Sequence, residues 1–404
     1  MTRTLDVTVD SGALSEAAAR MSRLLPTRST QPAHAGVLVR ADDSGLLLLA
    51  NGGEVTVRIR VPATTHDLGE AVVPRRGLTD TMAGLDAPEV RLTSEGNRLA
   101  VRMPGARFAL PQLGGALAPA SLPKAVGAVA GAQLRAAAVP VAGAASREHA
   151  LPIFTGVRLR SHGRQLSLLA TDRYRLASAS ISWQPAGPTG EADATTGSTA
   201  PTSAAPTAPT VHSLVAATVF AEAAKQAGRV ETVMVHADGD LFGLAWEGGS
   251  IVTATLGAAF PDAQLDRLLD VVPECIVEVE SDALAGAVDR ASRYAGPHGR
   301  VSIQAIDGAL LVQASDALSG ESEETVKAAV RGGHVTRIYQ ARLLLDALRA
   351  TARHTVQMRI QAGLRATEFT VNTGTMAAIH LHYMVVPMRP ASPSDDDSRR
   401  ARRD

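Results

Sequence analysis

The sequence predicts an α+β fold of three repeated domains, each with two helices packed on antiparallel sheets of about eight short strands. A strand followed by a helix recurs at 7–25, 126–146 and 275–295. Leucine takes the matching helical position in each copy, at Leu14, Leu134 and Leu284. A second helical pattern recurs at 75–85, 216–229 and 340–353. Similar segments at regular spacing indicate repeated domains.

The spacing of the copies places an insertion in the middle domain. The first step is 120 residues and the second is 150, so the middle copy holds about 30 extra residues. Segment 184–210 is rich in Pro, Thr and Ala, cannot build a core, and is predicted to be a disordered surface loop. The predicted organisation is domains at 1–122, 123–270 and 271–390, followed by a disordered charged tail at 391–404.

Local patterns define the first elements and one weak helix. Leu5, Val7 and Val9 alternate with polar residues and predict a strand, after which Ser11 can cap a helix. Pro140 falls inside the first helix of the middle domain, where it removes a backbone donor. A kink or a shortened helix is expected there.

Composition excludes several classes of protein. The single Cys275 rules out an internal disulfide and a cysteine zinc site, and favours a reducing compartment. The N-terminus lacks the apolar core of a signal peptide, and no apolar run reaches about 18 uncharged residues. The 11 histidines are scattered, and there is no Gly-rich phosphate loop or serine elbow. We expect a cytoplasmic protein that is not an enzyme and has no membrane span, metal or cofactor.

Charge is concentrated in the helices although the chain is neutral overall. The six predicted helices hold 12 basic and six acidic residues. A surface shared by these helices would be basic and would suit the phosphate backbone of duplex DNA. No aromatic residues alternate with the arginines, which argues against stacking on single-stranded bases. The alternative is that helix faces carry this arginine excess by chance. The predicted DNA-facing residues are Arg20, Arg23, Arg28, Arg75, Arg76, Arg135, Arg147, Lys225, Arg229, Arg290, Arg293, Arg342, Arg349 and Arg353.

The stretch 151–183 has the most distinctive local sequence. Its second half alternates as a strand and then reaches Ala170-Thr171-Asp172-Arg173-Tyr174-Arg175-Leu176-Ala177. Two arginines, an aspartate and a tyrosine lie together where the strand should bend. One interpretation is a solvated corner in which Asp172 pairs with an arginine. The other is one wall of a binding site.

Two segments resemble the bacterial beta sliding clamp, the beta subunit of DNA polymerase III. LPIFTGVRL with LLATDRYRLA is similar to the second domain of that family, and HYMVVPMR at 382–389 to its closing strand. Phe260-Pro261-Asp262 matches the step before its third domain, and the resemblance runs from residue 1 to about 390. It implies a head-to-tail dimeric ring with helices lining a lumen around double-stranded DNA, which it contacts without reading sequence. Such a ring is a processivity factor.

The resemblance also implies a peptide-binding pocket between the second and third domains. In the family, this pocket receives a short, Gln-led peptide with leucine and phenylalanine from polymerases and clamp-loader subunits. Ordinary core packing is the alternative for Leu176 and Met388, and a structural salt bridge for Arg175. The predicted pocket residues are Phe154, Thr171, Arg173, Tyr174, Arg175, Leu176, Pro261, Gln340, Leu343, Leu364, Ala366, Met384, Val386, Pro387, Met388 and Arg389.

Several positions depart from the family pattern. Gln340 and Leu343 stand where the family has asparagine and tyrosine, and 263–266 supplies neither the aromatic nor the basic residue usual there. The domain-one segment is reduced to Arg28-Ser29-Thr30-Gln31-Pro32. These departures suggest a divergent copy with altered partner preference that tolerates an inhibitor of the main clamp. The competing interpretation is a protein-binding adaptor that has lost ring function.

Overall fold

The computed structural model describes residues 4–26, 32–114, 117, 120–148, 150–187, 210–371 and 379–390. The chain forms two compact units. Unit 1 comprises Met1–Val139, Leu159–Leu166 and Ile181–Gly257. Unit 2 comprises Pro140–Arg158, Ser167–Ser180 and Ala258–Asp404. The predicted domain boundaries at 122/123 and 270/271 stay a prediction.

Unit 1 contains a five-stranded antiparallel sheet in the order β5-β1-β7-β8-β9. In this sheet β1 lies between β5 and β7, with Val7 opposite Thr65 on one side and Leu92 on the other. β9 is an edge strand. The strands are β1 (Asp6–Asp10), β5 (Ala63–Asp67), β7 (Glu89–Glu95), β8 (Arg98–Met103) and β9 (Ala106–Pro111).

Unit 1 also contains a nine-stranded sheet in the order β14-β10-β16-β17-β18-β4-β3-β2-β6. β18 and β4 pair antiparallel with Ile251 opposite Val57, so strands from the first and middle thirds of the chain share one sheet. The strands are β2 (Gly36–Asp42), β3 (Gly45–Asn51), β4 (Val55–Val61), β6 (Gly69–Pro74), β10 (Ala125–Ala130), β14 (Gln184–Pro185), β16 (Thr232–Ala237), β17 (Leu241–Trp246) and β18 (Gly249–Ala254).

The unit 2 part of the third sheet runs β12-β13-β26-β25-β24-β19-β22-β21-β20-β23. β22 is long: its residues 320–327 pair with β21, and its ladder to β19 begins only at Ala328. The strands are β12 (Gln165–Thr171), β13 (Arg175–Ser182), β19 (Pro273–Glu280), β20 (Arg300–Ile306), β21 (Ala309–Asp316), β22 (Gly320–Gly332), β23 (Thr336–Gln340), β24 (Thr355–Gln361), β25 (Thr367–Val371) and β26 (Ile379–Val385). The other strands of the described residues are β11 (Gly156–His162) and β15 (His212–Ala216).

The six predicted helices are confirmed, and one short helix was not predicted. The three leucines that defined the repeat, Leu14, Leu134 and Leu284, are fully buried, because each takes the same core-facing position in its helix. The unpredicted helix is α5, five residues long. The helices are α1 (Ser11–Leu24), α2 (Arg75–Ala83), α3 (Gly131–Gly143), α4 (Ala217–Ala227), α5 (Asp262–Asp266), α6 (Ser281–Ser292) and α7 (Ala341–Ala350).

One local expectation about the helices is wrong, and another is tested only in part. The Asp10 carboxylate caps α1 by accepting from the Ala13 amide at 2.7 Å, whereas the Ser11 hydroxyl, predicted as the cap, donates to the Ala87 carbonyl. Pro140 does not end α3, which continues through it to Gly143, and the expected kink stays a prediction. Burial on both sides of the proline, at Ala138 and Val141, holds the helix despite the missing donor.

The predicted loop at 184–210 begins too early. Gln184 and Pro185 form β14, which pairs with Gly127 and Ala128 of β10, so the backbone stays in a sheet for two residues beyond the predicted limit. Residues 188–209 of this segment and the predicted tail at 391–404 lie outside the described residues.

Candidate functional site

The turn between β12 and β13 in unit 2 is fixed by its own polar side chains. Asp172 Oδ1 accepts from the backbone amides of Tyr174 and Arg175, each at 3.0 Å. Thr171 Oγ1 accepts from the Arg173 amide at 3.1 Å and donates to the Arg175 carbonyl at 2.7 Å. These bonds hold the backbone of Arg173 at φ 79°, in the left-handed region that residues other than glycine rarely adopt. The turn therefore presents Arg173 and Tyr174 in a defined geometry.

Arg175 is a buried structural centre. Its side chain is 4% exposed, Nε donates to Asp172 Oδ2 at 3.0 Å, and the guanidinium also binds Asp346 of α7 and the Tyr383 hydroxyl. Burial opposes the charge, but Tyr383, Asp172 and Asp346 outweigh it and raise the pKa of Arg175. Burial raises the pKa of Tyr383 to about 12. This geometry fits the alternative in which Arg175 forms a structural salt bridge, because its guanidinium donors bind side chains of the same unit.

The two segments that resemble the family meet in unit 2. The Val386 amide, just after β26, donates to the Tyr174 carbonyl at 2.9 Å. Beside this contact, Leu176 and Met384 belong to one buried apolar cluster. The remaining buried members are Leu169, Leu265 and Val271, with Phe260, Leu269 and Ala366 packed against them.

The sequence analysis placed Pro261 of the 260–271 segment in the pocket but missed Leu265, Leu269 and Val271, which join this cluster. Leu265 in α5 is buried there, and Leu269, four residues later, packs against it. The segment is anchored by an ion pair of Asp262 with Arg158 at 2.7 Å. The four-residue spacing of Leu265 and Leu269 is a helical signal. It covers a single turn, however, and one leucine pair at this spacing is expected by chance in a leucine-rich sequence.

Several residues close in sequence to members of the buried cluster form an exposed rim. Arg173, Tyr174, Leu364, Val386 and Arg389 are exposed, and Phe154 is half-buried. The Arg173 guanidinium carbon lies 6.0 Å from the ring centroids of both Phe154 and Tyr174. Its side chain is 51% exposed and lies 4.0 Å from Glu148. An exposed cation beside two aromatic rings suits a peptide with apolar anchors and a polar end.

Some predicted pocket residues lie outside the buried apolar cluster. Leu343 is a buried core residue of α7, and Gln340 precedes that helix. Met388 pairs with Ile338 of β23 through a backbone hydrogen bond of 2.6 Å, and Pro387 is buried. Thr171 is buried within the turn, and Pro261 precedes α5. Leu343 and Met388 are therefore not members of the apolar cluster.

The basic residues of α1 and α4 in unit 1 are partly neutralised. Glu16 accepts from Arg20 within α1 and from Arg229 at 2.7 Å. Glu222 of α4 pairs with Arg23 at 2.8 Å and with Lys225 at 3.9 Å. Hydrogen bonds from Arg20 and Arg229 lower the pKa of Glu16.

One predicted DNA-facing residue in unit 1 is corrected. Arg75 is buried and donates to the Pro26 carbonyl, and burial lowers its pKa. Its guanidinium is therefore part of the protein interior and does not face DNA. By contrast the side chain of Arg76 is 91% exposed, with Asp80 at 3.3 Å, and Arg135 is exposed. Arg28 lies outside the described residues.

The predicted DNA-facing residues of unit 2 are exposed. Arg290 pairs with Glu324, Arg293 with Asp289, and Arg349 with Asp346. The three others that are exposed are Arg147, Arg342 and Arg353. Exposed side chains that are only partly compensated can still exchange an internal carboxylate for a phosphate.

Neither a metal centre nor a membrane helix is found in the described part of the chain. Its His, Cys, Asp and Glu side chains form no group of three that could hold a metal ion. None of its helices combines the length and apolar character that a membrane crossing needs.

Comparison with known proteins gives one consistent answer. Three domains of the DNA polymerase III beta subunit match in order: the N-terminal domain at 5–119, the central domain at 128–195 and the C-terminal domain at 267–389. The beta sliding clamp of Streptomyces coelicolor is 26% identical over 353 residues, covering 86% of this chain and 88% of that protein. The beta sliding clamp homolog GriR of Streptomyces muensis is 27% identical over 344 residues, covering 84% and 87%.

Solved structures support the same fold. The beta subunit of Thermotoga maritima superposes with a TM-score of 0.80 at 19% identity, covering 96% of this chain and all of that one. The sliding clamp of Pseudomonas aeruginosa bound to griselimycin gives a TM-score of 0.81 at 20% identity, with the same coverage. The architecture is that of three clamp domains with helices packed on antiparallel sheets.

Proposed function

The chain belongs to the DNA polymerase III beta subunit family, the sliding clamps, and on that premise we propose that two copies close head to tail into a ring around duplex DNA. The ring tethers the replicative polymerase and clamp-loader subunits through short peptides. The observation that carries the proposal is the ordered match of all three domains. The family consists of processivity factors, and we assign this chain no enzymatic activity and a place in the cytoplasm.

Two unpaired strand edges support ring closure. In unit 1, β9 is an edge strand whose Phe108 is 40% exposed and whose Arg107 is exposed. In unit 2, residues 320–327 of β22 have a ladder on one side only and expose Glu321 and Glu323. Strand edges of different copies can pair through their backbones in a heterologous interface, which generates a closed ring when the rotation closes.

The exposed helix arginines support contact with duplex DNA. Many of them are paired with carboxylates, so a phosphate contact at those arginines must displace an internal partner. Weak, exchangeable backbone contacts without base reading suit a ring that must move along DNA. The binding of DNA should therefore be strongly dependent on salt.

Retention on circular DNA tests the proposal. The protein, loaded by a clamp loader onto nicked circular duplex, should stay bound through gel filtration and should dissociate when the circle is linearised. Replacing Arg23, Arg76 and Arg349 by alanine should reduce the slope of log K against log salt by about 0.9 for each phosphate that the protein no longer neutralises.

The matched control is alanine at three exposed arginines outside the helices, Arg40, Arg164 and Arg331. This control variant should keep the wild-type slope. Equal retention on linear and circular DNA would contradict a topological ring. An unchanged slope in the helix variant would contradict DNA contact by these helices while leaving the ring intact.

A second candidate is a divergent paralogue that acts as a protein-binding adaptor or tolerates an inhibitor of the main clamp. The similarity to GriR and the altered Gln340 and Leu343 favour it. Griselimycin, seen bound to the Pseudomonas clamp, is a suitable probe. Titration of this protein beside that clamp should show weaker binding here. Equal affinity would remove the inhibitor-tolerant candidate, and a monomer that binds peptides would favour the adaptor.

A further inference from the structure

Two histidines of β26 lie on the same face of the sheet. His380 and His382 are separated by one residue of the strand, and alternate residues of a strand project to the same side. The intervening Leu381 is buried, whereas His380 is exposed and the His382 side chain is 44% exposed. Two residues of a strand span about 6.6 Å, so the two imidazoles can reach one point above it.

A buried carboxylate orients one of these histidines. Glu368 of β25 is fully buried, and its two oxygens have different partners. Arg359 Nη1 donates to Oε2 at 2.8 Å, and His382 Nδ1 lies 2.7 Å from Oε1. A carboxylate only accepts hydrogen bonds, so Nδ1 of His382 carries the proton and donates it, which leaves the lone pair on Nε2. A carboxylate behind the imidazole fixes the ring of a metal-binding histidine and raises its basicity.

The charges beside the pair admit a cation. The guanidinium of Arg359 is compensated by Glu368, and its Nη2 donates to the Val271 carbonyl at 2.9 Å, so it is engaged within unit 2. Thr370, directly opposite His382 on β25, is neutral. A divalent cation at the two histidines therefore has a neutral neighbour across the strands and a compensated ion pair beyond it.

The strand that carries the pair is interior to its sheet. β26 lies between β13 and β25, and its ladder to β25 sets the position of His382. A backbone held on both sides leaves the two imidazoles little freedom, so little entropy is lost when one ion binds both. The sequence analysis did not single out this pair, because only the folded chain places Glu368 behind His382.

We propose that His380 and His382 form a binding site for a divalent transition-metal ion such as Zn²⁺, with Glu368 as the positioning residue behind His382. The ion binds Nε2 of His382 and a ring nitrogen of His380, and water completes its coordination. Imidazole suits Zn²⁺, Cu²⁺ and Ni²⁺, whereas Mg²⁺ prefers oxygen ligands. With two protein ligands the site is weaker than a structural zinc centre, and it does not depend on ring closure.

Isothermal titration calorimetry with Zn²⁺ on the full-length, metal-free protein tests the site. Wild type should bind one Zn²⁺ per chain at this pair and should not bind Mg²⁺ there. His380→Ala and His382→Ala should each weaken the Zn²⁺ affinity by about tenfold or more, because one imidazole alone loses the gain of holding the ion at two points. Glu368→Gln, checked for folding by its melting temperature, should weaken it about 10–100-fold.

Cu²⁺ is a second probe, and it should bind more tightly than Zn²⁺. Electron paramagnetic resonance of the Cu²⁺ complex should show two nitrogen ligands in wild type and one in His380→Ala. One nitrogen ligand in wild type would contradict a shared site.

The matched control is His334→Ala. His334 is an exposed histidine that also contacts a carboxylate, Asp307 at 2.9 Å, but no histidine stands two residues away from it. This variant should keep the wild-type Zn²⁺ affinity. If His334→Ala weakens binding as much as His382→Ala, or if the double variant His380→Ala/His382→Ala binds Zn²⁺ as wild type does, the proposal is wrong. A folded Glu368→Gln protein with wild-type affinity would contradict the positioning role of Glu368.

Discussion

The Val386 amide donates to the Tyr174 carbonyl oxygen at 2.9 Å, and this bond joins two segments more than 200 residues apart in the chain. It sets the exposed Val386 side chain beside the turn that displays Arg173 and Tyr174. The Leu176 and Met384 side chains of the same segments are buried in one cluster. The proposed peptide-binding surface therefore has a fixed backbone frame before any ligand arrives.

Val386→Asp should weaken peptide binding by at least tenfold, about 1.4 kcal/mol or more. The side chain is 36% exposed, so the substitution leaves the backbone bond intact and places a charge against the apolar anchor. The measurement is a fluorescence-polarisation titration of a labelled, Gln-led peptide with leucine and phenylalanine anchors. A melting curve verifies that the variant is folded. Val139→Asp, the same substitution at a valine also 36% exposed, is the control and should bind as wild type. Equal weakening by both variants would contradict the site.

Arg175→Met should destabilise unit 2 by about 3–5 kcal/mol, because it leaves the carboxylates of Asp172 and Asp346 without their buried partner. Urea unfolding followed by the fluorescence of a probe in unit 2 measures the loss. Arg173→Met, two residues away and half exposed, is the matched control and should cost less than about 1 kcal/mol. Similar losses in the two variants would show that the Arg175 network does not stabilise the fold.

Glu16→Gln should remove a pH-dependent contribution to the stability of unit 1. Hydrogen bonds from Arg20 and Arg229 hold the pKa of Glu16 below its ordinary 4.5. A carboxyl group with a lowered folded pKa stabilises above the unfolded value, and this stability is lost as the pH falls through the folded pKa. Since half of the side chain is exposed, we expect less than about 1 kcal/mol at neutral pH.

The melting temperatures of wild type and Glu16→Gln at pH 7 and near pH 3 measure this contribution. The difference at pH 7 should be a few degrees at most and should shrink toward pH 3. Glu247→Gln, in the β17–β18 turn, is the control and should show no such convergence. A difference that persists unchanged in acid would show that the carboxylate is not the cause.

Phe108→Asp should convert the dimer to monomers, because it places a charge on the exposed β9 edge proposed to pair with β22 of a second copy. Light scattering after gel filtration measures the molar mass. Leu68→Asp, at a leucine of nearly the same exposure in the turn after β5, is the control and should stay dimeric. A variant that remains dimeric would exclude β9 from the interface.

The repeat pattern predicted the helices because it depends on local periodicity. Leu14, Leu134 and Leu284 mark the helical face that must be buried, and the structure buries all three. Local patterns were a poor guide to the cap at Ser11, because the adjacent Asp10 accepts the capping hydrogen bond instead, and to the end of the helix at Pro140, which α3 passes through.

Patterns in the sequence were sufficient to predict the three-domain α+β architecture and to select the two segments of the proposed peptide-binding surface. The environments of individual side chains became clear only from the folded chain. Arg173 and Arg175 are the same residue type two positions apart in one turn. Arg173 is exposed and lies against the Phe154 ring, whereas Arg175 is buried between Asp172 and Asp346. Leu265 joins the cluster and Leu343 does not. These outcomes depend on partners distant in the chain, which local periodicity cannot specify.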